Sequence, residues 1–281
     1  MLNIIIPVAG YEPDINEIIR ILAEVDTNII IVINGNADIS YHEHQYPALT
    51  FLHLPSPQSP YSARNLGLSR AQPGPVAFLD ASCIPKDDWV MKGLAALATG
   101  VDIVAGKVEF RFQSEMPTAA ELWDSVSNIQ QEYSVQRGVA KTANLFASEN
   151  ALAVLGPFKD GVRSGEDVRW TGQSSRLGLQ LKYVDDVVVY KRARTLIALL
   201  RKNLRTGAGK AAHQGLAARL LLSARLILLP VSPWLTSRLI TQRSTIRCSY
   251  MALTKVWLVA WLCGIFHGLG MLLPSIFYQA D

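Results

Sequence analysis

NIIIPVAGYEPDINEIIRILAEVDTNIIIVI, residues 3 to 33, decides the fold class. Asn3 to Val8 is a continuous apolar run of strand length, and Asn28 to Ile33 is a second one rich in β-branched residues. Between them, Asp14 to Glu24 carries its apolar residues at helical spacing, with Asp14 placed to act as an N-cap. Neither strand alternates apolar with polar residues, so each reads as buried on both faces. Further along, Leu49 to Leu54 is another apolar run, a Ser/Pro stretch leads into a helix around Tyr61 to Ala71, and Val76 to Leu79 is a fourth strand ending at Asp80. Alternating strands and helices of this kind predict an α/β chain whose mostly parallel sheet has helices on both faces.

The bulk composition narrows the class. The chain has 281 residues, 49% of them hydrophobic and 18% charged, which excludes disordered and collagen-like chains. Cys83, Cys248 and Cys263 are few, scattered and without C-x-x-C spacing, so neither a disulfide framework nor a zinc site is expected. The apolar run at Leu2 to Val8 lacks the basic flank and length of a secretory signal, and the N-terminal part is expected in the cytoplasm. Charge is unevenly distributed. Residues 1 to 186 hold 14 basic and 22 acidic side chains, a net of −8, whereas residues 187 to 281 hold 13 basic side chains against Asp281 alone, a net of +12.

In parallel sheets ligands bind beyond the carboxyl ends of the strands, which makes Asn34 to Asn36 and Asp80 to Ser82 candidate site residues. No G-x-G-x-x-G or G-x-x-x-x-G-K-[ST] pattern follows a strand, which argues against a dinucleotide oxidoreductase and a P-loop NTPase. What remains is Arg64 at a helix start, Asp80 at a strand end, and the late acidic pair Glu166 and Asp167. A cation for a diphosphate, a carboxylate near a metal or sugar, and a second carboxylate as general base form a coherent set for sugar transfer.

Four stretches, in order, carry a resemblance: IIIPVAG at 4 to 10, ARNLGLSRAQPGPVAFLDASCIPKDDW at 63 to 89, TANLFASENALAVLGPF at 142 to 158, and SGEDVRW at 164 to 170 with the segment after it. From residue 3 to about residue 210 the chain resembles a family 2 glycosyltransferase of the GT-A fold, a Rossmann-like architecture. The resemblance implies a nucleotide-diphospho-sugar donor. Pro7, Val8, Ala9, Gly10 and Asn34 are then expected to line its nucleotide pocket, and Arg64 to contact its base or phosphates. Asp80 corresponds to the first carboxylate of the family's Asp-x-Asp element, which holds the donor and a divalent metal. Asp167 corresponds to the base that deprotonates the acceptor hydroxyl as it attacks the anomeric carbon with inversion, and Glu166 is expected to position it.

Three positions depart from that pattern. Ser82 stands at the second carboxylate of the Asp-x-Asp element, Ile33 at an Asp that many relatives carry, and Lys191 where the family often has a His. Two metal ligands are thus replaced by a hydroxyl and a cation. Mg²⁺ or Mn²⁺ is therefore expected to bind weakly or not at all, with Lys191 and Arg194 partly neutralising the departing diphosphate instead, and Ser82 is expected among the donor-binding residues. Metal held through Asp80, donor phosphates and water stays open. No organic cofactor is expected.

Pro117 to Arg137 reads as an amphipathic helix. Beyond Lys191 the chain turns to Leu-rich helices studded with arginine, RTLIALLRKNLR at 194 to 205 and LAARLLLSARLILL at 216 to 229. Residues 256 to 277 carry no formal charge apart from His267, long enough to span a bilayer. The expected organisation is a catalytic domain over 1 to 210 and a basic helical membrane-associated region over 211 to 281. It would sit on the cytoplasmic side of the membrane, peripheral on anionic lipid or with one transmembrane helix. A soluble helical appendage is the other reading of these helices. Nucleic acid is not an expected partner, because the basic residues are interleaved with Leu and Ile. The overall expectation is a transferase acting on a lipid-linked or polysaccharide acceptor. A GT-A-like scaffold subunit of a polysaccharide synthase complex and a GT-A-like nucleotidyltransferase stay open beside it.

Overall fold

The computed structural model describes all residues except 11, 36–43, 163, 212–213 and 274–281, so the expectations for Asn36 and Asp281 lie outside the described residues. The chain divides into two compact units, Met1–Glu109 with Ile129–Lys191, and Phe110–Asn128 with Arg192–Asp281. The helix Leu196–Ala211 and an internal segment, Phe110–Asn128, belong to the second unit.

The sheet is built from β1 (Asn3–Val8), β2 (Asn28–Asn34), β3 (Thr50–Leu54), β4 (Val76–Leu79), β5 (Cys83–Pro85), β6 (Ile103–Arg111), β7 (Asn144–Ala147) and β8 (Leu181–Arg192). Their spatial order is β3-β2-β1-β4-β7-β6-β8-β5. The first four strands pair in parallel, whereas β7 runs antiparallel to both β4 and β6, and β5 antiparallel to β8. Ile4, Ile6 and Val8, with Ile29, Ile31 and Ile33, enter one core, which is closed by Ile15, Ile18, Ile19 and Leu22 of the helix Ile15–Leu22. Ile5, Ile30 and Val32 enter the opposite core with Tyr61, Phe78, Phe158 and Trp170. Successive side chains on a strand point to opposite faces, so cover on both sides requires an unbroken apolar run. Asp14 occupies the N-cap position of its helix, but its side chain makes no capping hydrogen bond.

Trp89 and Trp170 are fully buried, in keeping with a core role. Asn144 joins the antiparallel half of the sheet. Its Nδ2 donates to the carbonyls of Lys107 in β6 and Val187 in β8, both at 2.8 Å, and its Oδ1 accepts from Trp89 Nε1 at 2.9 Å. Gly106 makes room for this amide, since a Cβ there would sit 2.3 Å from Asn144 Nδ2.

The expected helix from Pro117 to Arg137 is instead two helices, Ala119–Ser127 and Gln131–Gln136. Asn128 leaves the helix in extended geometry, and Ile129 takes a positive φ of 44°. The Asn128 side-chain amide donates to Asp124 Oδ1 at 2.7 Å, the local competition by which Asn ends helices.

In the second unit, Ala119–Ser127 starts with a Thr118/Glu121 capping box and packs in two clusters, Ala120 with Leu199, Val259 and Cys263, and Leu122 with Val126, Ile240 and Val256. The helices Leu196–Ala211 and Tyr250–Leu272 lie side by side with the same polarity, Leu199 clustering with Val259 and Cys263 and Leu204 reaching Gly270. A Cβ on Gly207 would meet the His267 carbonyl at 2.1 Å, so glycine is required at this backbone contact.

Asn144→Ala strands two carbonyls and an indole N–H in the core. At roughly 1–3 kcal/mol for each buried group left unpaired, the expected loss of stability is about 3 kcal/mol or more, read from the midpoint of urea unfolding.

Candidate active site

β1 is flanked by β2 and β4, both parallel to it, so the chain leaves all three strands at the same edge of the sheet. Ala9 and Gly10 follow β1, Asn34 ends β2 and Asp80 follows β4. The chain also reverses its direction of travel across the sheet between β1 and β4, the kind of switch point at which open α/β sheets bind ligands. Pro7 is half-buried, Val8 buried, and Ala9 and Gly10 exposed, with Gly10 at φ +71°. Asn34 Nδ2 donates to the Gln58 carbonyl and its Oδ1 accepts from the Gln58 amide, both at 2.8 Å, which ties the end of β2 to the segment before the next helix.

That helix, Pro60–Leu68, begins with proline and is capped by Ser59, whose Oγ accepts from Ser62 N. Gly67 lets it approach β1, since a Cβ there would lie 2.6 Å from Ile5 Cγ2. The helix carries Tyr61 and Arg64 one turn apart, and the Arg64 guanidinium lies 5.5 Å from the centre of the Tyr61 ring. Arg64 is buried, donating from Nη2 to Asp80 Oδ1 at 2.7 Å and from Nη1 to the Pro60 carbonyl at 3.2 Å. Asp80 is the more exposed member of the pair, its side chain 33% accessible against 4% for Arg64.

On the other side of the Tyr61 ring edge, its hydroxyl donates to Asp167 Oδ1 at 2.9 Å and accepts from the Gly165 amide at 3.1 Å. Burial, followed by the charge of Asp167, pushes the phenol well above the ordinary tyrosine range, so it stays protonated. Asp167 is half-buried in the first turn of the helix Glu166–Thr171 and also accepts from Val168 N through Oδ1 at 2.9 Å.

Glu166 faces elsewhere. It is buried, accepts from Lys159 N at 2.7 Å and from Arg169 Nε at 2.6 Å, and meets Arg169 Nη2 as well. Burial alone would raise its carboxyl, but the Arg169 hydrogen bonds, the Lys159 amide and the nearby charges outweigh it and hold the group below the ordinary range. Its bonds therefore tie the Lys159 amide and the Arg169 side chain to the start of the helix Glu166–Thr171.

Ser82 and Lys191 meet through strand register. Cys83 in β5 stands opposite Lys191 in β8, and the buried Lys191 Nζ donates to Ser82 Oγ, with Cys83 Sγ at 3.8 Å. Arg194 belongs to the second unit, where its amide and guanidinium engage the fully buried Asp124 at 2.9 to 3.3 Å. Arg64, Asp80 and Asp167 thus form one connected line through Tyr61, with Ser82 two residues beyond Asp80 bound to Lys191.

Sequence reading passed over Tyr61, Arg169 and Asn65. Asn65 holds Phe158 through both its amide and its carbonyl and also donates to Asp160. The sole sequence signal for Tyr61 is its position three residues before Arg64 on a helix.

Glycosyl transferase family 2 matches residues 3–145, just over half of the chain. The chain belongs to glycosyl transferase family 2. Among curated proteins it is 36% identical over 189 residues to glycosyltransferase AglE of Haloferax volcanii, covering 65% of this chain and 62% of that protein. It is 28% identical over 151 residues to the pre-mycofactocin glycosyltransferase of Mycobacterium tuberculosis, covering 51% of this chain and 32% of that protein. The chain therefore spans less than two thirds of the length of these relatives. Among solved structures, the mannosyltransferase PcManGT of Pyrobaculum calidifontis, in complex with GDP-Man and Mn²⁺, aligns with a TM-score of 0.57 at 16% identity, over 96% of this chain and 86% of that one. S. aureus TarS in complex with UDP-GlcNAc aligns at 0.52 and 16%, over 69% and 59%. The fold of this family 2 member is GT-A, a mixed central sheet between helical layers.

Divalent metal accompanies the GT-A fold in the PcManGT complex. Here, among the described residues, no three His, Cys, Asp or Glu side chains converge. Asp80 Oδ1 is engaged by the Arg64 guanidinium and Ser82 Oγ by the Lys191 ammonium, so cations stand at the two positions where the resemblance puts metal ligands. This donor set does not fit a divalent cation.

Glu166→Gln is expected to lower thermal stability at pH 7 by the equivalent of about 1–3 kcal/mol, since its bonds to Arg169 and Lys159 are charge-assisted. A carboxyl held low in the folded state stabilises above its unfolded pKa, and that contribution fades as pH falls through the folded one. The melting-temperature gap between wild type and variant should therefore close on acidification below the ordinary glutamate range, as read by circular dichroism.

Proposed function

We propose that this protein is an inverting glycosyltransferase that moves a sugar from a nucleotide diphosphate donor to a lipid-linked or polysaccharide acceptor at the cytoplasmic membrane face. The observation that carries the reading is the line from Asp167 through Tyr61 and Arg64 to Asp80, together with the family match. The complexes of PcManGT with GDP-Man and of TarS with UDP-GlcNAc support a nucleotide-sugar donor.

In this reading Pro7 to Gly10 and Asn34 border the nucleotide, and Arg64 with Asp80 holds the donor. Asp167 takes the proton of the acceptor hydroxyl as that oxygen attacks the anomeric carbon. The bond from that carbon to the phosphate oxygen breaks on the opposite face, and its electron pair leaves with the nucleoside diphosphate. Positioned proton transfer of this kind contributes roughly 10²- to 10⁴-fold. Lys191 at Ser82 supplies positive charge for the departing diphosphate, whereas the Arg194 guanidinium is committed to Asp124. Glu166 acts by holding the turn that carries Asp167.

The basic helical region is proposed to attach to anionic lipid. Leu221, Leu228 and Trp234 are exposed beside Arg225 and Arg238, and Arg238 lies over the Trp234 ring at 5.4 Å. Tyr250–Leu272 is long and apolar enough to cross a bilayer. Its parallel neighbour Leu196–Ala211, however, carries the exposed Arg201, Arg205 and Lys210 alongside its C-terminal half. Spanning would take those cations into the hydrocarbon, so we favour an interfacial position in which arginines reach the headgroups.

A screen of nucleotide sugars for transfer and hydrolysis, with and without EDTA, should find one donor class turned over, with EDTA changing the rate less than two-fold. Asp167→Asn should cut that turnover by roughly 10²- to 10⁴-fold while donor binding persists. Binding without turnover in the wild type would favour the scaffold reading, and release of inorganic diphosphate the nucleotidyltransferase. In flotation assays the full chain should bind vesicles containing phosphatidylglycerol, with Leu221→Glu plus Leu228→Glu weakening that binding about ten-fold or more. Equal flotation with purely zwitterionic vesicles would argue against an anionic-lipid address.

A further inference from the structure

Tyr61 contributes polar and aromatic contacts that no role above requires. It is 5% exposed, it starts a helix fixed by Pro60 and the Ser59 cap, and its ring lies 5.7 Å from Phe158. Its hydroxyl has one proton to give. The Gly165 amide already donates to the hydroxyl oxygen, and an ionised carboxylate can only accept, so that proton is directed at Asp167 Oδ1. Val168 N–H reaches the same oxygen. Oδ1 thus carries two donors, while Asp167 Oδ2 has no hydrogen bond among the described residues.

We infer that Tyr61 is a positioning residue for the transfer reaction: its phenol fixes Asp167 so that Oδ2 is the oxygen that takes the acceptor's proton, and its ring carries the Arg64 guanidinium that holds Asp80. One side chain then sets the spacing between the base and the donor-holding pair. The inference rests on the reading of Asp167 as the base. It divides Tyr61 into two separable parts. The hydroxyl serves the proton transfer, and the ring face serves donor binding through Arg64.

That division yields a split between kcat and KM that a purely structural tyrosine would not show. Tyr61→Phe keeps the ring under Arg64 and removes the donor to Oδ1, so the carboxylate loses its fixed rotamer. Its kcat for transfer should fall about ten-fold or more, with the donor KM within two-fold of wild type. Tyr61→Leu removes the ring as well, and the donor KM should then rise about five-fold or more on top of the fall in kcat. If Tyr61→Phe does not fold, 3-fluorotyrosine placed at position 61 preserves size and both hydrogen bonds. Its more acidic phenol donates more strongly to Asp167 and weakens the base, so kcat should fall two-fold or more with the donor KM unchanged.

The same assay includes Asp167→Asn. If that variant transfers sugar at the wild-type rate, Asp167 is not the base and the inference falls with that reading. If Asp167→Asn is inactive while Tyr61→Phe or the fluorotyrosine protein keeps kcat within 1.5-fold of wild type, the base reading stands and the role of Tyr61 is overturned. Equal rises in donor KM for Tyr61→Phe and Tyr61→Leu would overturn it too, because the ring and hydroxyl would then be doing the same thing.

Discussion

Ile4, Ile5 and Ile6 are all completely buried on one strand, Ile5 in one core and its two neighbours in the other. Burial on both faces is the constraint from which the rest of the first unit follows. A strand without a wet face needs a helical layer on each side, and parallel neighbours joined by crossover helices supply those layers. Parallel pairing in turn aligns the carboxyl ends of β1, β2 and β4. Apolar burial stops there: Asn34 at the last position of β2 and Asp80 just beyond β4 carry the polarity that the strand interiors exclude.

The candidate site is assembled by pairing charges before any substrate arrives. Arg64 is buried, which is tolerable because Asp80 and the Pro60 carbonyl take two of its donors and the Tyr61 ring lies against its face. Glu166 is buried on the same terms with Arg169. The two acids of the Glu-Asp pair are thereby separated in function by the helix itself: adjacent residues in a first turn point about 100° apart, so one turns inward to the 159 to 169 segment and the other toward Tyr61.

The fold was largely legible because its signals are local. Strand β1, the helix after it, β2, β3 and β4 all announce themselves by periodicity within a few residues of the boundaries observed. Arg64, Asp80 and Asp167 stood out as motif residues, and the first two meet at 2.7 Å. Less legible was anything that depends on a partner remote in the chain. Tyr61 and Asp167 are 106 residues apart, and a tyrosine on an amphipathic helix reads as ordinary core until its hydroxyl partner is known. The helix expected across Pro117 to Arg137 failed at Asn128 for a similar reason. Apolar spacing continues through that point, and the break comes from a side-chain hydrogen bond that periodicity does not register.

The amino-acid sequence by itself determined the two-sided burial of the strands, the polar positions at their ends, and the contrast between an acidic body and a basic, Leu-rich remainder. These follow from the order of residue types, because periodicity and charge are properties of neighbouring positions. Tertiary structure alone decided which polar groups meet. Register between β5 and β8 puts Lys191 on Ser82, across 109 residues, and the packing of Pro60–Leu68 on β1 sets the Tyr61 hydroxyl against Asp167. A hydrogen bond needs its partners within about 3 Å, and only the packed core fixes distances between distant segments to that tolerance.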